Sequence, residues 1–249
     1  EDKGVQGLLI EKHSGVDCVI MCPPCQGLSN ANQDKDKAND PRNKLSLVAA
    51  ELVVRMAPKS VFMEEVQGCV KLVPELTKIF ESGGYSVKHR VLYASDYGVP
   101  QKRKRFILIA TKPGVSFEFP TPNKTEVSAG EALKREPIPA WGKEVSATAL
   151  AHIERRKRGE VDRFPGGGYE IMDLSKPCYT ITTQCRTATM AASIERDGRY
   201  YCMSTQELAR LHSYPPDFKF KHDAKGCDTA IGWSLRHKYR SPASRYRRV

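Results

Sequence analysis

Three short apolar runs and one alternating stretch, interleaved with two stretches of helical periodicity, occupy residues 17–110 and restrict this half of the chain to an α/β fold. Asp17–Met21 (DCVIM), Ser60–Val66 (SVFMEEV) and Arg105–Ala110 (RFILIA) are too short for buried helices and read as buried strands. Tyr85–Tyr93 alternates polar and apolar residues as a strand does. Leu45–Met56 (LSLVAAELVVRM) repeats apolar residues at helical spacing until Pro58 stops it. Leu72–Glu81 is a second amphipathic helix, closed by Gly83 and Gly84. Strands interleaved with helices predict a mostly parallel sheet.

After about Lys112 the pattern breaks down. Residues 113–143 are rich in proline, 152–163 (HIERRKRGEVDR) are mainly basic, Gly166–Gly168 form a flexible spot and 178–197 are rich in threonine and prone to β structure. Ser204–His212 (STQELARLH) then reads as a helix with Ser204 or Thr205 as N-cap and Glu207 in its first turn. The expected organisation is an α/β domain over 1–111, a smaller irregular domain over 112–197, a return to the first domain over 198–235 and a basic tail over 236–249.

Net charge narrows the partners. At +11 in 249 residues, with an isoelectric point near 9.3, the chain favours a polyanion, most often nucleic acid. No apolar run approaches the ~18 residues of a membrane span, and EDKGVQG at the start lacks the basic and apolar regions of a signal peptide. Eight cysteines without a secretory signal fit a reducing, intracellular setting better than a disulfide framework.

Cys22 and Cys25 in MCPPCQGLSN have the spacing of half a zinc site or a redox dithiol. Zinc needs a second close pair of ligands, and Cys178 and Cys185 are too far apart in sequence to supply a good one, so no metal is expected. A redox pair sits where a strand meets a helix start, whereas Cys25 is followed by a long polar stretch. The remaining reading is one important cysteine, Cys25, with Cys22 as a small packing residue and Cys18 buried in its strand.

Six segments, taken in order, carry a resemblance. They are Pro23–Ser29 (PPCQGLS); Asp40–Asn43 with Leu45; Phe62–Val66 (FMEEV); Tyr97–Arg105 (YGVPQKRKR); Thr180 and Ile181 in KPCYTITTQ; and Glu207–Pro216 (ELARLHSYPP). Together they resemble the motifs of the DNA cytosine-5 methyltransferases over roughly residues 2–232. The resemblance implies a Rossmann-like class I methyltransferase sheet, incomplete on its N-terminal side, with a small target-recognition domain over 112–197. The implied partner is duplex DNA, bound by a monomer and without a membrane, and the implied cofactor is S-adenosylmethionine.

By that resemblance Cys25 attacks C6 of a flipped cytosine, Glu64 holds the N3 region and supplies a proton, Arg105 binds the base and Arg103 braces the nucleophile region. A thiolate suits this step because it is a soft, strong nucleophile at neutral pH. Asp2, Pro23 and Gly232 are the implied cofactor contacts. Gln26, Ser29, Arg42, Gln101, Thr180, Ile181, Arg155 and Arg156 are the expected DNA contacts, with residues 26–43 closing over the extruded base. Glu65 either adds charge beside Glu64 or points to the other face of its strand.

The chain departs from the family at both ends. No Phe-x-Gly-x-Gly donor loop precedes Cys25, so the chain is expected to be N-terminally truncated and Asp17–Met21 to be an open sheet edge. Gly232-Trp233-Ser234 stands where the family has Gly-Asn-x-Val-Pro, and Gln206 replaces a usual Arg. Two alternatives stay open: a tRNA-methylating relative, against which Gly27-Leu28-Ser29 and the lack of a Cys-Phe-Thr argue, and a DNA-binding remnant without a donor site.

Overall fold

The structure, a computed structural model, describes residues 3–24, 28, 41–123, 125–135, 142–158, 170–181 and 192–218. The chain divides into two units, one built from 1–93 and 104–121 and the other from 94–103 and 122–249.

The first unit holds a four-stranded sheet. Its elements are α1 (Lys3–His13), β1 (Cys18–Met21), α2 (Leu45–Met56), β2 (Ser60–Glu65), α3 (Val73–Ser82), β3 (Ser86–Tyr93) and β4 (Lys104–Thr111). The spatial order is β1-β2-β4-β3. β1 pairs with β2 in parallel, and β4 runs antiparallel to both β2 and β3. The expectation of a mostly parallel sheet is therefore corrected. β1, β2 and β3 point the same way, but β4 is inserted between β2 and β3 and reverses two of the three pairings. Apolar periodicity marks a strand as buried without revealing which strand lies beside it.

β4 is the middle of this sheet and is buried on both faces from Phe106 to Thr111. On one face Val61 and Met63 pair with Ala110 and Leu108 and pack with Ala50, Val53, Leu76 and Phe80 of α2 and α3. Left-handed Ala57 (φ 53°) ends α2, its N–H reaching the Val53 and Val54 carbonyls, just before Pro58. Tyr85 ties the next turn down by donating its hydroxyl to the Pro58 carbonyl at 2.7 Å.

β1 is the sheet edge expected from the sequence, and Ile20 on it is 74% exposed. Cys18 is exposed as well, so its expected burial is corrected: no strand among the described residues covers the outer side of β1. Cys22 is also exposed rather than packed. α1 has no signature in the sequence, because its leucines face outward (Leu8 is 65% exposed) and leave no apolar stripe to read.

The second unit contains α4 (Ala129–Lys134), α5 (Ala147–Lys157), β5 (Glu170–Ile171), β6 (Ala192–Arg196), β7 (Arg199–Cys202) and α6 (Thr205–Leu211). β5 pairs in parallel with β6, and β6 forms an antiparallel hairpin with β7. Ala132 and Leu133 of α4, Ile194 of β6 and Leu208 and Leu211 of α6 share one core. These boundaries differ from the expected ones. The 197/198 border falls inside the β6–β7 hairpin, and α6 packs with the second unit because its apolar face meets α4 and β6. The first part of the basic run, residues 152–157, is the end of α5, whose Ala149 and Ile153 are buried, and 159–163 lie outside the described residues. Gly166–Gly168 and the tail from 236 lie outside the described residues.

Candidate active site

In the first unit, strand alternation separates the two acids of FMEEV. Glu64 and Glu65 end β2 and face opposite sides of the sheet. Glu65 lies on the core side with Val61 and Met63, is 2% exposed, and accepts a hydrogen bond from the Val66 N–H at 3.1 Å. The alternative in which it points away from Glu64 is the observed one.

Glu64 lies opposite Ile107 in the β2–β4 register, so Arg105 is its diagonal neighbour on the same face. Arg105 Nε donates to Glu64 Oε1 at 2.6 Å, with both side chains little exposed (23% and 22%). Arg105 Nη1 also donates to the Lys104 carbonyl at 2.6 Å, which fixes the plane of the guanidinium. A guanidinium has five N–H donors, so the pair keeps both accepting and donating capacity. Side by side, the two groups can grip a planar ring that offers an amino N–H and a carbonyl along one edge.

In the second unit Gln101 is the centre of a network and is 1% exposed. Its Oε1 accepts from the Ile181 N–H at 3.2 Å, and its Nε2 donates to the Leu211 carbonyl at 3.3 Å and lies 3.4 Å from His212 Nδ1. Around it, Cys178 N–H donates to the Pro100 carbonyl at 2.9 Å and Lys102 N–H to the Cys178 carbonyl at 2.7 Å. Thr180 Oγ1 donates to the Lys102 carbonyl at 3.2 Å. These bonds fasten 178–181 to 100–102 beside an open cleft of about 390 Å³ lined in part by Lys102, Asp173, Lys176 and Thr180.

Two of the expected DNA contacts are buried. Gln101 and Ile181, both 1% exposed, spend their side chains inside the protein; Thr180 remains partly exposed. Arg155 stands exposed on α5, and Arg156 lies on the same helix.

His212, a residue of the ELARLHSYPP motif, has no role that the sequence alone reveals. Burial, with a further push from the Arg103 charge, lowers its pKa to about 4. The other pair that sequence reasoning misses is Arg196 with Glu207. Glu207 has no exposed side-chain surface, yet it holds the Arg196 guanidinium and closes a capping box with Ser204. The box itself is legible in the sequence; the burial is not.

Pro23 is partly buried just beyond β1. Asp2, Cys25, Gln26, Ser29 and Gly232 lie outside the described residues, as does most of 26–43. Arg42 falls in a single-turn helix over Pro41–Lys44. Among the described residues no cluster of His, Cys, Asp or Glu is arranged to hold a metal ion, and no helix is long and apolar enough to cross a membrane.

The sequence profile of the C-5 cytosine-specific DNA methylases matches residues 3–237. The Type II methyltransferase M1.HphI of Haemophilus parahaemolyticus is 32% identical over 231 residues, covering 84% of this chain and 62% of that protein. M.MthTI of Methanothermobacter thermautotrophicus is 37% identical over 224 residues, covering 80% of this chain and 68% of its own. The chain thus spans somewhat under two thirds of the length of the Haemophilus relative. Among solved structures, the Entamoeba histolytica methyltransferase EhMeth superposes with a TM-score of 0.63 at 15% identity, over 87% of this chain and 71% of that one. The S. pombe Dnmt2 methyltransferase gives 0.63 at 15% identity, over 93% and 78%. At these identities the likeness is one of fold, a Rossmann-like methyltransferase fold that the mixed sheet of the first unit shares.

Proposed function

We propose, from the premise that this chain belongs to the C-5 cytosine-specific DNA methylase family, that it transfers a methyl group to C5 of cytosine in duplex DNA. The observation that carries the reading within the family is the Glu64–Arg105 pair, held on one face where β2 ends. It supplies the acceptor and donor set that the Watson–Crick edge of an extruded pyrimidine requires, and a base inside a duplex is out of reach, so the target must flip out.

In this reading Cys25 acts as the nucleophile. Its thiolate forms an Sγ–C6 bond, and the electron pair of the C5–C6 double bond shifts so that C5 becomes enamine-like. Glu64 delivers a proton to N3 as the thiolate adds, which neutralises the charge arriving on the ring. Arg105 orients Glu64 and donates its remaining N–H groups to the pyrimidine oxygen. Arg103 serves the nucleophile, and Thr180, Arg155 and Arg156 meet the duplex, with Gln26, Ser29 and Arg42 at the extruded base. Once C5 carries the methyl group, a base such as water takes the C5 proton, the C5–C6 double bond re-forms as the Cys25 thiolate leaves C6, and N3 returns its proton to Glu64.

S-adenosylmethionine, when bound, supplies the electrophilic methyl group. The described residues fit such a donor in one respect. β1 and β2 are parallel, and the carboxyl ends of parallel strands, where Pro23 leaves β1, are where α/β sheets take their ligands. Asp2 and Gly232 are proposed as the remaining contacts. The protein works as a monomer on DNA inside the cell, in a restriction–modification setting, a reading supported by relatives named Type II methyltransferases. The organisation into a catalytic domain and a target-recognition domain is part of the same reading.

The test is covalent trapping. The full-length protein, given donor and a duplex carrying 5-fluorocytosine, is expected to form an adduct that survives denaturation and disappears in Cys25→Ser. No adduct, or one that persists in Cys25→Ser, overturns the assignment. Parallel arms with tRNA and with calorimetric titration of S-adenosylmethionine separate the tRNA-methylating and donor-deficient alternatives.

A further inference from the structure

His212 is a half-buried imidazole that the proposed reaction does not use, and the network around it dictates its protonation state. The oxygen is the one acceptor on the Gln101 amide, so the 3.2 Å bond from the Ile181 N–H orients that amide with Oε1 toward Ile181. The Gln101 NH₂ group then faces the Leu211 carbonyl at 3.3 Å and His212 Nδ1 at 3.4 Å. One amide hydrogen serves the carbonyl and the other needs an acceptor. Nδ1 therefore accepts, and the ring carries its single proton on Nε2.

A second proton would set N–H against N–H at Gln101. It would also place a cation next to Arg103, whose charge already acts on this ring. His212 Nε2 is buried without a hydrogen-bond partner among the described residues, so nothing there compensates an imidazolium. The other ring beside it, Tyr214, makes an edge contact at 6.4 Å between centroids.

We infer that His212 is a positioning residue: its neutral Nε2–H tautomer, set through Gln101, couples the 178–181 segment to the end of α6 and keeps an uncharged ring beside Arg103. The consequence for catalysis rests on the proposed reaction, which uses Arg103. The tautomer itself does not.

Two measurements on the full-length protein test it. In nitrogen-15 histidine NMR near neutral pH, the His212 signal, assigned by its loss in H212Q, should show a neutral ring protonated at Nε2. In Q101E, where a carboxylate replaces the donating amide, the proton should move to Nδ1. A charged or Nδ1–H ring in the native protein overturns the inference. In methylation kinetics, H212Q offers an amide oxygen to Gln101 and should keep kcat within about threefold of native. H212R puts a permanent cation beside Arg103 and should lower kcat about tenfold or more while KM for DNA changes little, as expected for a misplaced reacting group. A native kcat in folded H212R overturns the inference, and the NMR result decides alone if H212R does not fold. Failure of the native protein to form the trapped adduct would count against the reaction and leave the tautomer to be judged by NMR.

Discussion

The pairing of Glu64 with Arg105 makes a statement about catalysis that neither residue makes alone. Arg105 is anchored twice, at Glu64 Oε1 and at the Lys104 carbonyl, so it acts as a fixed brace for the carboxylate. E64Q keeps the shape but cannot deliver a proton and should lower kcat by about 10²–10⁴, the usual worth of general acid–base catalysis. R105K retains a charge but cannot reproduce the planar fork and should also reduce kcat. If the two act as one unit, E64Q/R105K should be little worse than E64Q alone. Single-turnover rates of the four proteins on duplex DNA measure this, and losses that add in full would mean the two residues work separately. At this scale the motif residues are legible because their chemistry is stated by residue type and spacing. The buried network of Gln101 and His212 is not, because burial is a property of distant chain: Gln101 meets Leu211 and Ile181 across 110 and 80 residues.

Among the elements, legibility follows the strength of the local signal. α2 and α3 announce themselves by apolar periodicity and by their stops at Pro58 and Gly83. α5 is hidden by the charge on its outer face, although Ser146 accepts from the Ala149 N–H at 3.2 Å and so marks its start. α6 carries the fullest start signal, with the Ser204 side chain accepting from Glu207 N–H at 3.1 Å and Glu207 returning a bond to Ser204 N–H at 2.7 Å. Two substitutions there should separate a surface cap from a buried charge. Ser204→Ala removes one cap bond and should cost about 1 kcal/mol. Glu207→Ala removes the returning bond and also strips the buried partner of Arg196, which should cost roughly 3–5 kcal/mol. Chemical denaturation of the full-length protein, followed at matched conditions, should rank Glu207→Ala well below Ser204→Ala. Equal losses would mean that the Arg196–Glu207 pair adds nothing to the cap.

For the whole molecule, the sheet order is the feature least accessible from sequence. β4 enters between β2 and β3, a choice made by long-range packing that no local pattern encodes. The charge, by contrast, is plain from the sequence, at +11 overall. What the structure adds is a location for part of it. Arg155 is exposed on α5 and Arg158 just past its end, while the opposite side of α5 buries Ala149 and Ile153 against Tyr200. Charges displayed this way raise affinity for any duplex through counterion release but do not read its sequence. R155Q/R158Q should therefore weaken binding to specific and nonspecific duplexes by the same factor. It should also flatten the plot of log affinity against log salt by about two units of slope, close to 0.9 for each phosphate that is no longer neutralised. Fluorescence anisotropy across a salt series measures both quantities. A loss confined to the specific duplex would make α5 a reader of bases, and an unchanged slope would turn the α5 arginines away from DNA altogether. Either result would move the source of the electrostatic attraction to other basic segments of the chain, among them the run from Arg236 to Arg248, with six Lys and Arg in 13 residues.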